Sequence, residues 1–165
     1  MRFAPAAVAL SLLVALTSSV GHADDRSADP RAAMLIAQGR AALAASDSEA
    51  AIDAFESAMA IDPAYTPVLI ELAEAARKQG LQGKAIAYYR EALVRDPGNL
   101  AAISGEGEAM LEKGAVAKAE RNLAKLQSMC GNSCPETVEL QRALSREPLP
   151  RMAAESVKSA PVSQN

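Results

Sequence analysis

The chain has 165 residues, half of them hydrophobic but only 3% aromatic, and carries 17 lysines and arginines against 20 aspartates and glutamates, a net charge of −3. An acidic balance with so few rings leaves neither the electrostatic footprint nor the stacking platforms that a nucleic-acid partner needs. There is no tryptophan, one histidine (His22) and one pair of cysteines, so histidine-based acid–base chemistry and histidine-rich metal sites have almost no residues to draw on.

The first predicted element spans residues 1–23. Arg2 precedes the apolar run "AAVALSLLVALTSSV" from Ala6 to Val20, and "GHA" supplies the small residues Gly21 and Ala23 before "DDRSADP". This is the layout of a secretory signal cleaved after Ala23. About 15 apolar residues are too few for the ~20 of a spanning helix, so no membrane span is expected after cleavage. Removal takes away His22 and leaves the mature chain more acidic, since Arg2 is the only charged side chain in the segment. The expected location is periplasmic or secreted. Residues 24–30 read as a flexible leader.

From residue 31 to 145 one offset organises the chain. Pro63 and Pro97 are 34 residues apart, as are Ala51, Ala85 and Ala119, then Phe55, Tyr89 and Leu123, then Ala58, Ala92 and Leu126. Gly39, Ala73 and Gly107 form a series of small residues and Leu35, Leu69 and Ile103 one of large residues at the same interval. A fixed period of this length marks stacked units of one supersecondary motif. Each unit reads as two helices. In the first (about 32–65), "RAAMLIAQGRAALAA" is followed by Ser46 with Glu49 three later, a capping-box spacing, then "AAIDAFESAMAIDP". The second (66–99) opens on Thr66-Pro67, breaks at "KQGLQG" and ends at Asp96-Pro97-Gly98; the third (100–131) breaks at Gly114. Small residues at 39, 73 and 107 allow two helices to approach closely.

These columns resemble the tetratricopeptide repeat. Its large, Gly/Ala, Ala, aromatic, Ala and Pro positions are met by Leu35, Gly39, Ala51, Phe55, Ala58 and Pro63, and again by Leu69, Ala73, Ala85, Tyr89, Ala92 and Pro97. The third unit departs, with Leu123, Leu126 and Gly131 in the last three places, so its final turn is expected to be irregular. The resemblance implies an all-α fold, a short solenoid of three helix-turn-helix repeats, here closed by a C-terminal capping helix at 135–145 ("PETVELQRALS") that covers the last apolar face. It also implies a non-enzymatic protein-binding module whose first helices line a concave groove. The matching positions are Ile36 and Arg40; Ile70, Glu71, Glu74 and Arg77; and Ser104, Glu108 and Leu111. Family members that clamp a peptide's terminal carboxylate use lysine and asparagine at several of these places. Here Ile36, Ile70 and Ser104 stand at one of them and Arg40, Glu74 and Glu108 at another, so that clamp is missing. Two isoleucines rimmed by carboxylates suit instead a protein or peptide partner with an apolar anchor flanked by basic residues.

"MCGNSCPE" places Cys130 and Cys134 at the turn into the capping helix. In an exported chain an even cysteine count points to a disulfide, and a four-residue separation near helical geometry puts the Cα atoms about 6 Å apart, within bridging range. A redox-active pair remains an alternative, because Cys134 precedes a helix. A metal site would need further ligands. No glycine-rich phosphate loop or nucleophile motif occurs, and no cofactor or metal is expected. Residues 146–165, with Pro148 and Pro150, read as a disordered tail. Two other functions compete with groove binding: a thiol-disulfide active protein using the cysteine pair, and a structural subunit that self-associates into homo-oligomers.

Overall fold

A computed structural model describes residues 26–146. The signal segment 1–23, the first two leader residues and the tail from 147 onward lie outside the described residues. Seven helices follow one another: α1 (Pro30–Ala44), α2 (Ser48–Ile61), α3 (Pro67–Lys78), α4 (Gln82–Arg95), α5 (Leu100–Glu112), α6 (Val116–Cys130) and α7 (Pro135–Ser145), with no strand among the described residues. Helices pair as α1/α2, α3/α4 and α5/α6. Consecutive pairs stack through α2 on α3 and α4 on α5, while α7 packs on both α5 and α6. The first helices of the pairs also touch along one side, α1 to α3, α3 to α5 and α5 to α7. This is the all-helical solenoid with a capping helix that the 34-residue register implies.

The repeat columns are its packing contacts. Phe55, Leu69, Tyr89 and Ile103 are all 0–1% exposed, as are Ala51, Ala58, Ala73, Ala85, Ala92 and Ala119. Gly39 lies against the Phe55 ring, where a methyl group would come within 2.7 Å of Cδ1. At Gly107 a methyl would meet Leu140 Cδ2 at 2.7 Å, so this small position receives the capping helix. Leu140 joins Ile103 and Leu126 in a terminal apolar cluster that would face water without α7.

Turn chemistry repeats too, with one exception. Gly80 and Gly114 end α3 and α5 at φ 79° and 80°, and the residues after them donate back to the Ala76 and Met110 carbonyls. The same place in the first unit, 34 residues before Gly80, holds Ser46 at φ 63°. The expected Ser46–Glu49 capping box is therefore not formed. Ser46 is the left-handed residue that terminates α1, and Asp47 caps α2 by accepting from Ala50 N at 3.0 Å. Asn99 caps α5 likewise, whereas Thr66 precedes α3 without a capping bond. The third unit's last turn is also more regular than expected: α6 runs unbroken for 15 residues, and Gly131 at φ 84° absorbs the change of direction.

The leader is anchored where the structure describes it. Asp62, 5% exposed, accepts from the Asp29 backbone and from Arg26 at 2.8 Å, so residues 26–29 are tied to the end of the first unit rather than loose. No described helix is long and apolar enough to cross a membrane.

Candidate functional site: the groove of the first helices

The side made by α1, α3, α5 and α7 carries an open cavity of about 530 Å³ between the last three. Ile70, Glu74 and Arg77 of α3 line one wall, Ser104, Gly105 and Glu108 of α5 form the floor, and Glu136, Glu139 and Arg142 of α7 close the other side. Arg146 lines the cavity as well.

Arg77 is the electrostatic centre of this groove. Its guanidinium, 15% exposed, reaches Glu74 at 3.1 Å, Glu108 at 2.7 Å and Glu112 at 2.7 Å. Burial works against its charge, but the Glu112 hydrogen bond and the carboxylates of Glu74 and Glu108 outweigh it, so its pKa lies well above the ordinary arginine value. Tyr89 comes from α4, crosses over Gly105 and donates its hydroxyl to Glu74. Burial, reinforced by Glu74, holds that phenol strongly protonated. The close passage explains Gly105, since a methyl there would come within 2.5 Å of the ring at Cε1. Three carboxylates around one guanidinium leave negative charge over. Glu108 shows it: burial first, with Glu74 and Glu139 nearby, raises its pKa above 4.5 although Arg77 pulls the other way.

The nine groove positions expected from the repeat register separate into three groups. Ile70, Glu74, Arg77, Ser104 and Glu108 line the cavity together. Arg40 and Glu71 form an ion pair linking α1 to α3, away from that cavity. Ile36 and Leu111 belong to the packing: Ile36 is 5% exposed within the first unit's apolar cluster, and Leu111 packs against the second. The expected anchor of two adjacent isoleucines is thus reduced to Ile70, because Ile36 is buried among Phe55 and its neighbours. Ser104, 3% exposed, donates to the Glu136 carbonyl at 3.1 Å and so holds α7 in place.

Sequence reading missed the whole α7 wall. A signal was present: the 34-residue offset carries Pro67 to Ala101 to Pro135, and Glu74 to Glu108 to Arg142. Continuing the register one helix further would have placed Arg142 in the groove. Glu112 and Tyr89 had no such signal, because their roles depend on the reach of long side chains between helices.

The cysteine turn abuts the same wall. Cys130 ends α6 and Cys134 is the N-cap of α7; their sulfurs stand at disulfide distance, with Cα atoms 5.9 Å apart. Thr137, fully buried, places its hydroxyl 2.9 Å from Cys134 Sγ and 3.5 Å from Cys130 Sγ. Glu136 comes within 4.8 Å of both sulfurs, the one trio of potential metal donors among the described residues. The sulfurs face each other rather than a common vacant point.

The tetratricopeptide repeat model matches residues 66–99, the second unit. No curated protein matches the chain. Among solved structures, the Sgt2 TPR domain from Aspergillus fumigatus is similar at 28% identity and TM-score 0.64, over 72% of this chain and 77% of that one. The first TPR of Spaghetti (RPAP3), bound to the HSP90 peptide SRMEEVD, superposes at 19% identity and TM-score 0.63 over 71% of this chain and 95% of the other. The second TPR domain of human RPAP3, in complex with the HSP70 peptide SGPTIEEVD, does so at 17% identity and TM-score 0.60 over 70% and 99%. At those two identities the likeness is one of fold.

Proposed function

We propose that the chain, a tetratricopeptide-repeat protein by its fold and by the match of its second unit, is a non-enzymatic interaction module that holds a basic and apolar peptide segment of another protein in the groove between α3, α5 and α7. Interaction with a peptide is supported by the neighbours solved with bound peptides. The chemistry of the ligand is supported by one observation: Glu74, Glu108, Glu136 and Glu139 line the cavity against Arg77, Arg142 and Arg146, and Arg77 is shared with Glu112 as well, so carboxylates outnumber guanidiniums in the groove. An incoming lysine or arginine supplies the missing charge, and Ile70 offers an apolar wall for a neighbouring side chain. The acidic peptides bound by those two neighbours would meet like charge here.

The test is a labelled peptide Ala-Leu-Lys-Leu-Arg-Ala against its acidic counterpart Ala-Leu-Glu-Leu-Glu-Ala and against SRMEEVD. Only the basic peptide should bind, more weakly as salt rises. Glu139→Lys is suited to the charge reversal because Glu139 is exposed and forms no ion pair among the described residues. It should leave the circular dichroism unchanged and abolish binding. Equal binding of all three peptides, or an unaffected Glu139→Lys protein, would remove the groove from consideration. Export is part of the proposal: the N-terminal segment supports a mature chain starting at Asp24 in a periplasmic or secreted location, with Cys130 and Cys134 bridged. Intact mass of the exported protein checks both, since retention of residues 1–23 or two titratable thiols would contradict them.

A further inference from the structure

We infer that the Cys130–Cys134 bridge is a reducible latch on the α7 wall, so that a dithiol reductant loosens α7 and lowers the groove's affinity for its peptide. This rests on the reading of the groove as a peptide site. Its geometric basis is that one short turn, residues 131–134, connects the end of α6 to a helix that forms a wall of the cavity. The wall is otherwise held by the Ser104–Glu136 hydrogen bond, by Leu140 in the notch over Gly107 and by the buried Thr137. A bridge across that turn restricts the positions α7 can take relative to α5; opening it leaves these contacts and the apolar packing of Leu140 and Leu144 against Ile103 and Leu126.

The site is also arranged to release a thiolate. Cys134 is the N-cap of α7 and makes no side-chain capping bond, so its sulfur lies at the positive end of the helix. The Thr137 hydroxyl is 2.9 Å from it and can donate to a negative sulfur. Both features stabilise Cys134 as a leaving group, whereas the nearby Glu136 carboxylate opposes them at its half-buried position. Cys130 and Cys134 are half-buried residues at the surface turn, not core residues.

In the reaction a thiolate of the dithiol attacks Cys130 Sγ. The protein S–S bond breaks, a mixed disulfide forms on Cys130, and the electron pair leaves with Cys134 as thiolate. The reductant's second thiol then displaces Cys130, so two electrons and two protons pass to the protein and the dithiol ends as a cyclic disulfide.

Amide hydrogen exchange on the exported full chain, with and without dithiothreitol, tests the latch directly. Amides of α7 should exchange roughly tenfold faster after reduction while those of α1 to α4 keep their protection. Affinity for the Ala-Leu-Lys-Leu-Arg-Ala probe should fall by about the same factor, and a Cys130→Ser/Cys134→Ser protein should show the reduced behaviour whether or not reductant is present. Unchanged α7 protection on reduction overturns the latch. So does faster exchange with undiminished probe binding. Failure of the probe to bind the oxidised protein sinks the groove reading and the latch's purpose with it, whereas binding that is indifferent to reduction sinks the latch alone.

Discussion

Ser46 occupies a left-handed position that Gly80 and Gly114 fill in the other two units. A Cβ at such a φ costs on the order of 1 kcal/mol, so Ser46→Gly should raise the stability measured in urea by about 0.5–1 kcal/mol, with the helical signal unchanged. Close approach makes the opposite demand at Gly105. There a methyl group meets the buried Tyr89 ring, whereas at Gly107 it meets the movable end of Leu140. Gly105→Ala should therefore be the more damaging of the two, costing about 2–3 kcal/mol by the same measurement. Glu108 gives a pH test. Its folded pKa is raised above 4.5, mainly by burial. Below the ordinary glutamate value both folded and unfolded states are protonated and the group is neutral to stability. As pH rises through the raised folded value, the charged form disfavours the fold. Glu108→Gln removes that charge, so its stability relative to the parent should improve between pH 4 and pH 7. A difference independent of pH would show that Arg77 fully compensates the burial.

At the level of helices, α7 has two jobs, closing the apolar end of the solenoid and walling the groove. Leu140, 0% exposed, contributes to both because it fixes α7 on α5. Leu140→Ala should cost about 2–4 kcal/mol in equilibrium unfolding and should also weaken binding of the basic peptide, although Leu140 does not line the cavity. The two effects were unequally legible in the sequence. The spacing of Leu140 and Leu144 in "PETVELQRAL" marks an amphipathic cap by itself. That the polar side of the same helix faces Glu108 depends on the angle at which α7 crosses α5, which the turn at Gly131 and the Ser104 bond to Glu136 decide.

Across the whole molecule the units are coupled by shared side chains. Met59 and Tyr88 pack against the apolar clusters of both the first and second units, and Leu93 and Leu144 bridge the second cluster to the terminal one. Neighbours that bury each other's surface should unfold together. Of the chain's three tyrosines, Tyr65 and Tyr88 pack at the junction of the first two units and Tyr89 lies over Gly105 of the third, so near-ultraviolet dichroism reports both junctions while the far-ultraviolet signal reports the helices. The two melts should coincide. Separate midpoints would mean that packing between the units is lost apart from the helices themselves.

The sequence by itself determined the repeat, its 34-residue register, the small residues where helices meet and the cysteine spacing across a turn. It could do so because each unit contacts only its neighbours in nearly constant geometry, and periodic packing leaves a periodic trace. Tertiary structure decided which groove residues are available. The register places Ile36 and Ile70 alike, yet Ile36 is buried with Phe55 in the first unit's cluster and Ile70 faces the cavity. It places Glu71 and Glu74 on one face, yet one is taken by Arg40 and the other by Arg77 and Tyr89. Long charged side chains find partners across helices by reach and rotamer, which no spacing along the chain records.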